Sequence, residues 1–355
     1  MSAPVTVPAA WLTQAVASVF GALGFSTSAA GRVAESLVAA DLRGIPSHGV
    51  LLVPMYVQRI QEGSVSLRER AEPVQDLGAI AVLDGGNALG QLTGEQAMRL
   101  AVAKARRYGV GVVTVRNAFH FGRAFRYAEL AATSGCIGIV AANTRPLMPA
   151  PGGASAVVGN NPVAIGVPRP DSEPVILDIA LSEAAMGKIR LAAGEERSIP
   201  ATWATDDQGR PTTDPNAALA GLLLPTGAHK GFGLAFMVDV LTGVLSGGGY
   251  GRHVKGLYAD TSVPNNCTHF FLALDVAAFG DPAGFGQRLA DLTGQVLASD
   301  LAPGVDRVYL PGEREATRYT RTVHDGVALE PSVLARLRAT AAALGVPLAD
   351  PHPAR

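Results

Sequence analysis

A helical period through residues 8–63 gives way near residue 72 to short strands and tight turns, and this change most limits what the chain can form. Apolar positions recur at helical spacing through Val33 to Asp41 and again through Val50 to Ile60. Beyond the change, the strand pattern Ala79 to Leu83 ends at the turn Asp84-Gly85-Gly86-Asn87. A helix is expected from about Gly94 to Tyr108, stopped by Gly109, and the β-branched run Val110 to Val115 follows it. A further helix, Ala124 to Ser134, leads into a strand, Ile137 to Asn143. The Gly/Pro-rich stretch Pro146 to Gly159 connects to strands at Ala164 to Val167 and Val175 to Asp178. Pro200 to Asn216 is polar and turn-rich, as a surface excursion or a cleft wall would be. Phe270 to Asp275, Phe285 to Leu297 and a last helix, Pro331 to Leu344, complete a pattern with no internal repeat.

At 355 residues the chain suits two closely associated domains or one large enzyme fold. The apolar run Gly231 to Leu245 is interrupted by Asp239 and falls short of the roughly 20 residues a bilayer demands, so it reads as a buried core helix. Ala9 to Leu23 is also fairly apolar. No Lys or Arg precedes Arg32, however, so that stretch reads as an amphipathic helix and not as a secretory leader. A formal net charge of -1, with no long Lys/Arg cluster, argues against a nucleic-acid partner. Cys136 and Cys267 cannot make a disulfide framework, and Cys136 lies in an apolar run, which fits a reducing cytoplasm.

Several segments carry more chemistry than packing needs. In Asp41-Leu42-Arg43-Gly44-Ile45-Pro46-Ser47-His48-Gly49 a hydroxyl adjoins an imidazole after an alanine-rich helix. An imidazole titrates near neutrality, so Ser47-His48 is a proton-transfer candidate, although the dipeptide alone more often marks a satisfied helix end. Asn117-Ala118-Phe119-His120-Phe121-Gly122 sets His120 between a strand and a helix, where amides at a helix start can meet a phosphate or the ring can simply satisfy that start. Gly159-Asn160-Asn161-Pro162 offers amides and a rigid turn. Pro225-Thr226-Gly227-Ala228-His229-Lys230-Gly231 places a cation and an imidazole before an apolar helix, flanked by glycine that lets a ligand approach. Pro311-Gly312-Glu313-Arg314 is a plain turn in isolation. The histidines show no metal-ligand spacing, and no P-loop, G-x-S-x-G elbow or G-x-G-x-x-G fingerprint after the first strand is present. A nicotinamide, if bound, sits on some other fold.

The order of the segments adds what none of them carries alone. The Asp41 to Gly49 segment, Leu89-Gly90-Gln91, His120-Phe121-Gly122, Asn143-Thr144-Arg145-Pro146, Pro151-Gly152-Gly153, Gly159 to Pro162, Leu177-Asp178-Ile179-Ala180, Gly187-Lys188-Ile189, Lys230 to Leu234 and Pro311-Gly312-Glu313 together resemble the malate/L-lactate dehydrogenase family. The resemblance runs from about residue 10 to 345. That family includes ureidoglycolate, sulfolactate and diketogulonate enzymes and piperideine-2-carboxylate reductase. It implies an α/β (α+β) chain with a non-Rossmann nicotinamide-binding fold, a largely antiparallel sheet, and a helical part contributed by both chain ends. Residues 1–75 with 315–355 would form the helical substrate and dimerisation part, and 76–314 the cofactor-binding sheet domain, with the cleft between. The implied partners are a small-molecule substrate and a second copy of the chain, with the active site near the subunit interface.

By the same resemblance, His48 exchanges the substrate proton, Ser47 orients it, and His120 begins the cofactor loop or takes the proton role itself. Cofactor contacts carry over onto His120, Phe121, Gly122, Arg123, Ala124, Thr144, Asp178, Ile179, Ala180, His229 and Lys230, and onto Gly312, Glu313 and Arg314. Hydride addition to a C=O or C=N carbon builds charge on the heteroatom, which an imidazolium relieves by giving up its proton. The chain departs from the family pattern S-H-G-x-x-R at Leu52, where relatives carry an arginine that can grip a carboxylate. Arg43, Arg145 and Lys188 are the cations that could replace it, Asn161 is a further substrate contact, and the alternative is that Leu52 packs while a partner chain supplies the arginine. Pyruvate and oxaloacetate are then expected to be poor substrates. Arg123 or Arg126 could neutralise the 2′-phosphate of NADP, but NAD is preferred here. A reductase of cyclic imino acids and a non-catalytic cofactor-binding relative are the alternative functions.

Overall fold

Along residues 110–118 the side chains alternate between two cores. Val113 and Val115 pack on one side and Val112 on the other. Residues 270–273 repeat this, with Phe271 and Ala273 opposite Phe270 and Leu272. A period of two with both phases apolar describes a sheet covered on both faces.

The computed structural model describes residues 3–170 and 172–351; Asp171 and the outermost ends of the expected helical part, including His352, lie outside the described residues. The strands are β1 (Val5–Val7), β2 (Glu72–Leu77), β3 (Ile80–Asp84), β4 (Val110–Ala118), β5 (Cys136–Ala142), β6 (Met148–Pro149), β7 (Ala156–Val158), β8 (Val163–Val167), β9 (Val175–Ile179), β10 (Cys267–Asp275) and β11 (Val327–Leu329). The helices are α1 (Ala9–Ala22), α2 (Thr27–Leu42), α3 (Val53–Gln61), α4 (Gly90–Tyr108), α5 (Phe125–Thr133), α6 (Met186–Gly194), α7 (Pro215–Ala220), α8 (His229–Asp239), α9 (Val276–Phe279), α10 (Pro282–Leu297), α11 (Glu313–Asp325) and α12 (Pro331–Ala343).

Seven strands form the main sheet in the order β2-β3-β4-β10-β5-β8-β9. Only β3 and β4 run parallel, joined by the long helix α4 as a parallel crossover requires. The remaining pairs are antiparallel, with β10 inserted between β4 and β5 along its whole length. Helices α4 and α5 cover one face and α6, α7 and α8 the other. A third core joins α1, α2 and α3 to α12, and β1 pairs with β11, so the two chain ends meet.

The run Gly231 to Leu245 is not the buried core helix its composition suggested. It is α8 continued as a π-helical turn, Val240–Val244. Ala235, Val238, Asp239, Thr242 and Gly243 face inward, whereas Leu234, Met237, Leu241, Val244 and Leu245 are 41–60% exposed. Helical spacing splits the run into an inner face and an uncovered apolar row. Among the described residues, no helix is long and apolar enough to cross a membrane.

Candidate active site

Helix α2 ends at Leu42, and the chain then doubles back through the tight turn Pro46–His48. That turn stands on a buried acid. The Asp41 carboxylate accepts the Val50 N–H at 2.8 Å, and its pKa is pushed up to about 7 by burial, with the Val50 hydrogen bond opposing. A Cβ at Gly49 would lie 2.1 Å from Asp41 Oδ1, so glycine is what lets the turn close over the acid. Within the turn, Ser47 Oγ and His48 Nδ1 are 3.0 Å apart, Ser47 exposed and His48 half-buried.

The second histidine enters from the sheet. Strand β4 ends at Ala118, and the chain reaches α5 through a loop in which Phe119 and Phe121 are buried on either side of His120. The start of α4 presses against this loop, because a Cβ at Gly90 would sit 2.2 Å from the Phe119 carbonyl oxygen. The next residue, Gln91, thereby reaches the Tyr56 hydroxyl at 2.9 Å, and that hydroxyl lies 2.6 Å from His120 Nδ1. The His48 and His120 rings face each other across 5.6 Å, tilted by 31°.

Strand β9 brings in the charges. Asp178 pairs with Arg123 at 2.9 Å, both side chains 13% exposed, and also accepts the Phe125 N–H at 3.2 Å. Burial holds His48 below its ordinary pKa; the Asp178 charge works against this and the Arg123 charge with it. His120 is pushed down to about 3 by burial, with the charges of His48 and His269 adding to the effect. Both rings are therefore neutral near neutral pH, and His48 is the one with an acid nearby to favour its cation.

The segments resembling the cofactor contacts lie on the chain around β9. Leu181 N–H donates to Asn160 O at 2.8 Å, and Thr226 N–H donates to Leu181 O at 3.0 Å, which ties Ile179 and Ala180 to the loop before His229 and Lys230. Thr144 donates its N–H to Asn161 Oδ1 at 2.8 Å, and its hydroxyl donates to Asn160 Oδ1 at 2.9 Å. Pro311 O accepts the Ile176 N–H at 3.2 Å, so Gly312 lies beside β9 and begins α11. Glu313 pairs with Arg307, and Arg314 stacks 4.4 Å from the Tyr309 ring.

Two features of this rim fit a dinucleotide. Arg123 Nη1 is buried without a hydrogen-bond partner among the described residues. Helix α8 starts at Ala228 with no side-chain cap and a backbone of φ 57, ψ -121, rare for a non-glycine residue, and His229 and Lys230 are exposed there. A helix start beside a lysine suits a pyrophosphate.

Of the expected substrate contacts, three are packed or already engaged and two are exposed. Leu52 is 1% exposed and packs in the helical core, so it offers no surface to a substrate. Asn161 is fully buried and already engaged, its amide donating to Ala235 O at 2.8 Å while its oxygen serves Thr144. Arg43 is held by Glu129 at 2.7 Å and stacked between Phe125 and Tyr319. Lys188 is exposed on α6, and Arg145 is exposed with no ion pair among the described residues. Tyr56 carried no signal in the sequence, and Asp41 stood in the Asp41 to Gly49 segment without a role of its own. An aromatic residue at helical spacing reads as packing.

The two histidines meet at the seam between a helical layer and a mostly antiparallel sheet. The malate/L-lactate dehydrogenase family model matches residues 7–338, and the chain belongs to that family. It is 36% identical to a malate dehydrogenase of Pyrococcus abyssi over 350 residues, covering 96% of each chain. It is likewise 36% identical to an Escherichia coli ureidoglycolate dehydrogenase (NAD(+)) over 305 residues, covering 86% of each. The solved sulfolactate dehydrogenase of Methanocaldococcus jannaschii superimposes with a TM-score of 0.92 at 33% identity, covering 97% of this chain and 98% of that one.

Proposed function

We propose that the chain oxidises a 2-hydroxy acid larger than lactate or malate to the 2-oxo acid, and runs the reverse reduction, with His48 moving the proton. The observation that carries this reading is His48, held by Ser47, facing His120 beside the Asp178–Arg123 pair. Malate, sulfolactate and ureidoglycolate, the substrates named for the relatives, are all 2-hydroxy acids.

A nicotinamide supplies hydride acceptance and donation when bound. The chain's own part is to place the substrate and manage one proton. Ser47 holds Nδ1 of His48, which leaves Nε2 for the substrate oxygen. A His48 kept neutral by burial is a competent base for the hydroxyl proton, and Asp178 stabilises the imidazolium that results. His120, neutral and held at Nδ1, offers its other nitrogen to the same oxygen. With Leu52 turned into the core, the substrate carboxylate falls to Arg145, beside Thr144.

NAD is the preferred cofactor. A 2′-phosphate needs a cation with charge to spare. Arg123 is neutralised by Asp178, and Arg126 is paired with Glu95 at 3.2 Å. The partner is a second copy of the chain, docked not through the helical part expected from the sequence but through the exposed row Leu234, Met237, Leu241, Val244 and Leu245 of the sheet part, whose spacing matches a helix packed on a helix.

A screen of NADH and NADPH oxidation against 2-oxo acids, diketones and cyclic imines tests the reading. Turnover of a 2-oxo acid with NADH is expected. Activity confined to cyclic imines, or to keto acids with an added amine, would replace it with imine reduction; cofactor binding without turnover would favour a non-catalytic role.

A further inference from the structure

Tyr56 lies outside every segment that carries the family resemblance, yet its hydroxyl makes the shortest polar contact to either histidine. The ring is 0% exposed and held edge-on by Phe20 and Phe119. Its oxygen has two neighbours, Gln91 Nε2 at 2.9 Å and His120 Nδ1 at 2.6 Å. An amide nitrogen only donates, so the Tyr56 oxygen accepts from Gln91 and its single proton is directed at His120. Nδ1 must then be the unprotonated nitrogen. The proton of the neutral ring sits on Nε2, the nitrogen left for the cleft shared with His48.

We propose that Tyr56, oriented by Gln91, is a positioning residue that locks His120 in its Nε2–H form, making His120 a fixed hydrogen-bond donor to the substrate oxygen and leaving His48 as the only proton carrier. This rests on the dehydrogenase reading for its consequence, but not for the lock itself. A neutral donor aimed at an oxygen that gains charge stabilises that charge without surrendering a proton. In the orientation observed, Nε2 of Gln91 faces the Tyr56 oxygen, and Gln91 Oε1 is buried with no hydrogen-bond partner among the described residues. An amide turned the other way would reverse both hydrogen bonds and put the proton on Nδ1.

Nitrogen-15 NMR of histidine-labelled wild-type protein at neutral pH reads the tautomer without any substrate. A His120 ring protonated at Nε2, assigned by loss of its signals in His120→Gln, is the expected result; protonation at Nδ1 overturns the proposal even if the enzyme proves fully active. In Tyr56→Phe, which keeps the ring, both tautomers should appear, and kcat should fall about tenfold or more with little change in KM. A folded Tyr56→Phe protein with unchanged kcat and an unchanged spectrum would also overturn it. A wild-type protein that shows the Nε2–H form but turns over no hydroxy or oxo acid would instead count against the proposed function alone.

Discussion

Asp41 accepts the Val50 N–H at 2.8 Å from beneath Gly49, so the turn that presents His48 is built over a buried carboxyl group. Protonated more readily in the folded protein than in the unfolded chain, that group makes stability depend on pH. With a folded pKa of about 7 against an ordinary 3.8, the stabilising contribution is complete below about pH 4 and is lost as pH rises through 7. The gap corresponds to about 4 kcal/mol at most. Urea unfolding of wild type and Asp41→Asn across this range checks it. The wild type should lose stability with rising pH where the variant, which keeps an acceptor for Val50, stays flatter. Parallel curves would rule out Asp41 as the source.

Asp178 neutralises Arg123 and favours the His48 cation. In Asp178→Asn, the freed guanidinium should move preference toward NADPH by about tenfold, the effect of one hydrogen bond to a charged group. His48 should become harder to protonate, and the acid limb of hydroxy-acid oxidation should move to lower pH. Initial rates with both cofactors across a pH series read both effects; an unchanged cofactor ratio would show that Arg123 does not face the 2′ position.

The exposed row on α8 gives a prediction about assembly. Leu241→Arg places a charge in the middle of that row, where Leu241 is 41% exposed in the single chain. Analytical ultracentrifugation should find wild type at twice the chain mass and the variant at the chain mass. A variant that remains dimeric would move the interface elsewhere.

The sequence was most legible where chemistry depends on chain order. The segments around Ser47-His48, His120 and Asp178 are far apart in the chain, yet they meet in one place. The family resemblance and its antiparallel sheet hold in the structure. Orientation was much less legible. Leu52 stands where the family resemblance led us to expect an arginine, but nothing in its spelling said that it turns into the helical core. The apolar run after Lys230 is apolar on both its inner and its outer face, so composition alone did not say that one of them is uncovered. Tyr56 was hidden because a buried tyrosine that packs and one that also holds a histidine leave the same helical period.

The division of labour between the two histidines is tested most directly by the turnover of His48→Gln beside that of His120→Gln, with cofactor binding followed by protein fluorescence. If His48 carries the proton, its variant should bind cofactor normally and lose about 10²–10⁴-fold in kcat for hydroxy-acid oxidation, together with the acid limb expected for wild type below the ordinary imidazole range. Near-normal turnover in His48→Gln, with the acid limb retained and activity lost only in His120→Gln, would contradict it and move the proton to His120.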